Sequence, residues 1–269
     1  MARHRVIALV GDTEIAFDDI GSGLPVVFLH AFPLNRTMWD PQVTALVGEC
    51  RCIAIDLRGF GESAASPPYT VDQYADDVVA VLDTLQITRA VIVGLSLGGY
   101  IAFALWRRHR DRFRALVLAD TRAVADTPDA IARRRTLIEL AQTQGSTAVA
   151  NVQIAGLVGK TTRDKRPDLY DAVHRMIAQA PEEGLIGALE AMITRPDSTA
   201  TLSTIDVPTL IVVGSEDVAT PPRDARALHA AIPGSRIEIL QQAGHLSNIE
   251  RPAAFNTVVT EFLGSLLYN

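Results

Sequence analysis

One serine set among small residues carries the most chemical information in this chain: Gly94-Leu95-Ser96-Leu97-Gly98-Gly99 follows directly on the apolar run Ala90 to Val93. A serine hydroxyl is a poor nucleophile until a base removes its proton, and it becomes useful when the fold presents it at the tip of a sharp turn. Gly94 and Gly98 suit such a turn, because a strained and crowded backbone excludes larger side chains. Ala90-Val91-Ile92-Val93 is short, β-branched and without alternation, as in a strand covered on both faces. Tyr100 to His109 reads as a helix, with Ile101, Ala104 and Leu105 at helical spacing and Arg107, Arg108 and His109 where cations suit its C-terminal end. Ser96 therefore belongs at a strand-to-helix turn, the setting of a nucleophile elbow. The short pattern also recurs by chance, so its partners must decide the reading.

A nucleophilic serine needs an imidazole within reach and a carboxylate to orient that imidazole. Thr209-Leu210-Ile211-Val212-Val213-Gly214 is a second buried-strand pattern, and Asp217 follows on the loop at its C-terminal end. Ile237 to Leu240 is a further strand pattern, and Gln241-Gln242-Ala243-Gly244-His245 after it is too polar and glycine-marked for a core. Asp217 is the expected orienting acid and His245 the expected base, in a chain order, Ser, Asp, His, that such triads use. Asp120, after the strand pattern Ala115 to Ala119, and Asp206, before Val207-Pro208, are the competing acids. Asp120 suits turn capping equally well. His4, His109, His174 and His229 sit in helical or terminal contexts.

Four further segments join the elbow: Leu29-His30-Ala31-Phe32-Pro33, Asp56-Leu57-Arg58-Gly59-Phe60-Gly61-Glu62-Ser63, Asp217-Val218-Ala219-Thr220-Pro221-Pro222 and Gly244-His245-Leu246-Ser247-Asn248-Ile249-Glu250. With them the chain, from about Gly21 to Leu267, resembles the α/β-hydrolases of the serine esterase, lactonase and cofactor-free haloperoxidase group. The acid and base loops look most like those of 3-oxoadipate enol-lactonases. The resemblance implies an oxyanion hole made by the backbone N–H groups of Phe32 and Leu97, with Ala31 standing where relatives usually have glycine. It also implies a structural role for His30, and it marks Asp120 as the position where some relatives place their acid. Asp56 and Arg58 are expected to form and hold a turn.

The elements that must position these groups alternate as a doubly wound α/β sheet requires. Strand patterns at Ile7–Val10, Glu14–Ile20, Pro25–Leu29 and Cys52–Ile55 surround a helix pattern at Met38–Val47, and Tyr74–Leu85 is the next helix. From about Thr121 to Asp206 the alternation gives way to consecutive helices. The expected fold is a doubly wound, mostly parallel eight-stranded sheet, with residues 1–120 and 207–269 as the core and 121–206 as a helical lid. Most apolar lid residues, such as Ile154, Leu157, Ile177, Leu185, Leu189 and Met192, are expected to pack helix against helix, with a few lining the cleft.

The whole-chain figures exclude other classes. A chain of 269 residues with 48% hydrophobic content buries one large core, and a formal charge of −6 gives no reason to bind nucleic acid or an anionic membrane. The basic run Arg107, Arg108, His109, Arg110, Arg112 and Arg114 reads as a solvated helix end. Met1-Ala2-Arg3-His4-Arg5 and the short apolar run after it are too brief for a signal core or a membrane span, so a cytoplasmic location is expected. Cys50 and Cys52, two apart on one strand, are expected to be reduced packing residues. Neither a metal-ligating spacing nor a phosphate loop is present, so no metal and no cofactor are expected. A homo-oligomer is compatible with the sequence.

The expected function is hydrolysis of small to medium, largely apolar carboxylic esters through an acyl-enzyme on Ser96. An enol-lactone hydrolase of aromatic catabolism is the alternative. Its substrate carries a carboxylate and needs a cation in the pocket, for which the lid offers Arg133, Arg134, Arg135, Lys160, Arg163, Lys165, Arg166, Arg175 and Arg195, with none singled out. A third reading is a ligand sensor that keeps the triad without sustained turnover.

Overall fold

Continuous apolar runs become strands buried on both sides. The computed structural model describes residues 5–11, 13–67 and 69–266; His4 and the N-terminal run before it lie outside these. Strands β1 (Arg5–Val10), β2 (Thr13–Gly21), β3 (Leu24–Leu29), β4 (Cys50–Ile55), β5 (Ala90–Leu95), β6 (Phe113–Ala119), β7 (Thr209–Gly214) and β8 (Arg236–Leu240) form one sheet in the order β1-β2-β4-β3-β5-β6-β7-β8. β2 runs antiparallel to both β1 and β4, and every pairing from β4 to β8 is parallel. Because side chains alternate along a strand, Val27, Leu29, Ile92, Leu116 and Ile211 enter one apolar cluster while Val26, Phe28, Val91, Val117 and Leu210 enter the other. An alternating polar face would have left one side wet; here neither side is.

Helices cover both faces. The expected helix at Met38–Val47 is divided into a 3-10 turn over Arg36–Trp39 and α1 (Asp40–Leu46). Pro41 is the reason, since a residue without an N–H fits a first turn and disrupts an interior. α2 (Val71–Thr84) starts before Tyr74 because Thr70 caps it, its hydroxyl accepting from Gln73 N at 3.0 Å. α2 and α3 (Leu97–His109) pack on one face, through side chains such as Val78 and Phe103.

Between β6 and β7 come five helices and no strand among the described residues: α4 (Pro128–Leu157, broken at Gly145), α5 (Lys160–Lys165), α6 (Pro167–Ala178), α7 (Glu182–Thr194) and α8 (Thr199–Leu202). α4 packs against both α6 and α7. Leu185 and Leu189 join the first cluster, Ile154 and Ile177 the second. α9 (Pro222–Ala231), α10 (Ser247–Glu250) and α11 (Pro252–Ser265) complete the chain, with Phe255 and Val259 of α11 on the same face as Leu46 of α1.

Two expectations are sharpened. The basic end of α3 is not simply solvated: Arg108 and His109 both pair with Asp76, and Arg112 with Asp83, both acids of α2. Such exposed pairs contribute about 0–1 kcal/mol each and are secondary to the apolar seam beneath them. Cys50 and Cys52 are free and buried on one face of β4, where burial pushes the Cys52 thiol up to about 12. Among the described residues no helix is long and apolar enough to cross a membrane.

Candidate active site

The functional groups gather at the C-terminal ends of β3, β5, β6, β7 and β8, where parallel α/β sheets usually place their sites. Ser96 joins β5 to α3 with φ 54° and ψ −107°, a conformation that L-residues rarely adopt. Its backbone is held on both sides: Ser96 N donates to Ala119 O at 3.0 Å, and Ser96 O accepts from Gly99 N and from Thr121 Oγ1, each at 2.9 Å. The flanking glycines are required by close approach. A Cβ on Gly94 would run into the Gly98 carbonyl, and one on Gly98 into the Leu29 carbonyl. A strained turn kept in place by its surroundings is a mark of function rather than of packing.

Leu97 begins α3, so its amide has no partner within the helix. Phe32 borders the same cavity as Ser96. The loop after β3 that carries Phe32 depends on His30: Leu57 N donates to His30 Nε2 at 2.9 Å, which leaves Nδ1 as the donor to Ala31 O at 2.9 Å. Ala31 is not among the residues with positive φ, so alanine serves there without strain. Burial lowers His30 from 6.5 to about 4, against the opposing pull of Asp56. A proton is therefore taken up by the unfolded chain below about pH 6.5 but refused by the folded one until about pH 4. Stability contributed by the neutral ring is complete above pH 6.5 and falls by up to about 3 kcal/mol as pH drops to 4. Urea unfolding between pH 7 and 4.5 should show a shallower loss for His30→Gln than for the parent protein; equal losses would refute this role.

The turn after β4 is fixed by ion pairs. Asp56, fully buried, accepts from Arg36 N at 2.7 Å, from the Arg36 guanidinium and from Glu62 N at 2.8 Å. Arg58 meets Asp77 with two hydrogen bonds, at 2.9 and 2.5 Å. Neither Asp56 nor Arg58 borders the cavity, as their expected structural role requires.

His245 Nδ1 lies 2.9 Å from Asp217 Oδ2. Asp217 also accepts from Ala219 N (2.8 Å) and Thr220 N (2.9 Å) on Oδ1, and from Thr220 Oγ1 (2.7 Å) on Oδ2. Burial alone would raise this carboxyl, but the charge and hydrogen bond of His245 and the Thr220 donors outweigh it, and the group sits below its ordinary value. Such an acceptor holds Nδ1 protonated and leaves Nε2 free to act as a base. The sequence reading did not single out Thr220; a hydroxyl three residues after the acid is its only signal.

Asp120 goes elsewhere. It accepts from Gly214 N at 2.8 Å and from the Ser247 hydroxyl, and burial together with the nearby Asp217 pushes its carboxyl well above the ordinary carboxylate range. Asp206 is exposed. His109, His174 and His229 bond to Asp76, Asn151 and Ser235 respectively, away from the site.

Ser96 and His245 border one cavity of about 100 Å³, whose apolar wall includes Phe32, Tyr100, Leu157 and Met192. Of the apolar residues between β6 and β7, Leu157 and Met192 reach this cavity, while Ile154, Ile177, Leu185 and Leu189 serve the cores. Arg122 and Arg134 also border it. Arg122 escaped the sequence reading because nothing local distinguishes it from any charged residue after a strand. Carboxylates clamp the α4–α5 junction and the first turn of α5 to the acid and base loops: Glu250 accepts from Gly159 N (2.9 Å), Gly244 N (3.0 Å) and Leu246 N (3.2 Å), and Glu216 from Thr161 N (2.7 Å). Among the described residues no three His, Cys, Asp or Glu side chains form a group that could hold a metal ion.

The model of the alpha/beta hydrolase fold family matches residues 25–252. The chain belongs to the α/β-hydrolase family. Among other α/β-hydrolases, it is 31% identical over 235 residues to 3-oxoadipate enol-lactonase 2 of Acinetobacter baylyi, covering 87% of this chain and 86% of that one. A malate-bound structure of a thermophilic esterase from Thermogutta terrifontis superposes with TM-score 0.94 at 38% identity, over 99% of each chain. The enol-lactonase of Burkholderia xenovorans gives 0.90 at 32% identity, over 96% of this chain and 100% of that one. The α/β-hydrolase core is thus common ground between this chain and enzymes described as esterases and lactonases.

Proposed function

We propose that this α/β-hydrolase cleaves carboxylic esters through an acyl-enzyme on Ser96. The observation that carries the reading is the His245–Asp217 pair at 2.9 Å, its imidazole bordering the same cavity as a serine held in a strained turn. Ser96 Oγ attacks the ester carbonyl while His245 Nε2 takes its proton, and the carbonyl oxygen becomes negative. In this proposal the amides of Leu97 and Phe32 donate to that oxygen; one donor of this kind contributes about 3 kcal/mol to lowering the barrier. His245 returns the proton to the departing alcohol. Water, deprotonated by the same imidazole, then releases the acid and restores Ser96. Ser96 and His245 border one cavity with no hydrogen bond between their side chains, and in this proposal that contact closes when substrate binds.

Residues 121–206, with helices α4 to α8, serve in this proposal as a cap over the core formed by 1–120 and 207–269. Supporting it, the cavity takes Leu157 and Met192 from these helices and Ser96 and His245 from the sheet side. At about 100 Å³ the cavity is well below the roughly 300–1,000 Å³ of sites for drug-sized ligands, so short acyl groups are the substrates that fit. Lactone opening by the same steps is the second reading, favoured by the two enol-lactonase relatives.

A fluorophosphonate tests the proposal. Loss of p-nitrophenyl acetate hydrolysis should track one label per chain, located on Ser96 by peptide mass spectrometry. Turnover that survives full labelling, or a label elsewhere, would sink it.

A further inference from the structure

Three guanidinium groups converge on one carboxylate beside the cavity. Asp126, its side chain fully buried, receives Arg122 Nη2 at 3.1 Å, Arg134 Nε at 2.5 Å and Arg195 Nη1 at 2.9 Å. A single carboxylate neutralises one of the three. Asp224 adds a second negative charge near Arg122 and Asp197 a third near Arg195, but neither of these borders the cavity.

The three arginines are not equivalent. Arg195 is committed to the fold: its Nη1 donates to Met192 O at 2.8 Å, its Nη2 to Val124 O at 2.9 Å, and its guanidinium stacks 4.0 Å from the Tyr100 ring centroid. Its side chain is 3% exposed, whereas those of Arg122 and Arg134 are 24% and 16% exposed and border the cavity with Ser96 and His245. Each of these two has one hydrogen bond to Asp126, out of five N–H donors in a planar fork. Arg122 Nε is buried without a partner in the protein. No acidic side chain borders the cavity, so nothing in its wall cancels the two cations that do.

Resting on the serine-hydrolase reading, we infer that Arg122 and Arg134, propped by Asp126, bind a carboxylate on the substrate and select esters or lactones that carry one close to the scissile bond. The small cavity keeps that carboxylate within a few atoms of the reacting carbonyl. Asp126 acts as a positioning residue: it holds both forks in place without touching substrate. This departs from the expectation of largely apolar esters, since the apolar wall at Phe32, Leu157 and Met192 faces a cationic edge that the sequence reading had no means to place.

The test compares kcat/KM for monomethyl succinate and monomethyl glutarate with that for their uncharged counterparts, methyl butyrate and methyl pentanoate. Carboxymethyl acetate against ethyl acetate covers a carboxylate on the alcohol side. The parent protein should favour the anionic member of at least one pair by about tenfold to a hundredfold, the contribution of one to two charge-assisted hydrogen bonds. Arg122→Gln and Arg134→Gln should each reduce that ratio by at least about tenfold, Arg122→Lys should reduce it less, and raised salt should reduce it in the parent protein. Equal rates within every pair for the parent protein would overturn the inference even if every variant misfolded. A preference unchanged in both Gln variants would overturn the assignment to these two residues. If no ester of either kind turned over, the serine-hydrolase reading would be the one to fail. Calorimetric binding of monomethyl succinate against methyl butyrate by Ser96→Ala protein then still decides the anion preference, which equal affinities would refute.

Discussion

Replacing Ser96 by alanine is expected to lower kcat for a short ester by about 10⁶, leaving the background supplied by the oxyanion donors and by binding alone. The size follows from removing the atom that forms the acyl bond, after which His245 can only assist water poorly. The fold should be untouched, because what holds the turn is the Ser96 backbone, through Ala119, Gly99 and Thr121, and alanine carries the same positive φ that serine does. Initial rates with p-nitrophenyl butyrate, beside circular dichroism and a melting curve, check both halves. Turnover above about 1% of the parent rate would refute the nucleophile, whereas a collapsed melting transition would show that the residue was holding the turn.

The second large effect separates two carboxylates that look alike in sequence. Asp217→Asn is expected to lower kcat by about 10⁴, because an amide in place of Oδ2 presents a donor to His245 Nδ1 and favours the tautomer whose Nε2 cannot accept the serine proton. Asp120→Asn should cost less than about tenfold. Asp120 does not touch His245, its carboxyl is driven toward the neutral form, and an amide can keep a link to the Gly214 amide or the Ser247 hydroxyl. Because Asp217 lies below its ordinary value, its charge persists at and above the normal carboxylate range and is lost only as pH falls through the lowered value. Steady-state rates at pH 7 for both variants decide the matter; the reverse ranking would make Asp120 the acid.

Much of this molecule is legible along the chain because its signals are local. Both faces of a parallel sheet are covered, so its strands had to be unbroken apolar runs, and Ala90–Val93 and Thr209–Gly214 read as such without a structure. Gly94 and Gly98 announce the serine turn because close backbone approach tolerates no Cβ there. Loop composition was enough to bring Asp217 and His245 forward as candidates. Boundaries were less legible: capping at Thr70 and the proline at 41 moved helix starts by a few residues.

Tertiary structure decided what depends on residues far apart in the chain. Asp120 and Asp217 both follow buried strands, and only the path of the 244–250 loop brings His245 to one of them and Ser247 to the other. Arg122 and Arg134 both reach Asp126 over a short stretch of chain, but only the packing of that stretch against the sheet brings the two guanidiniums to the cavity that Ser96 and His245 border. A strand or a turn is a property of a few consecutive residues and their backbone preferences. A charged pocket edge is a property of where a segment comes to rest against the rest of the fold, and sequence pattern carries no coordinate for that.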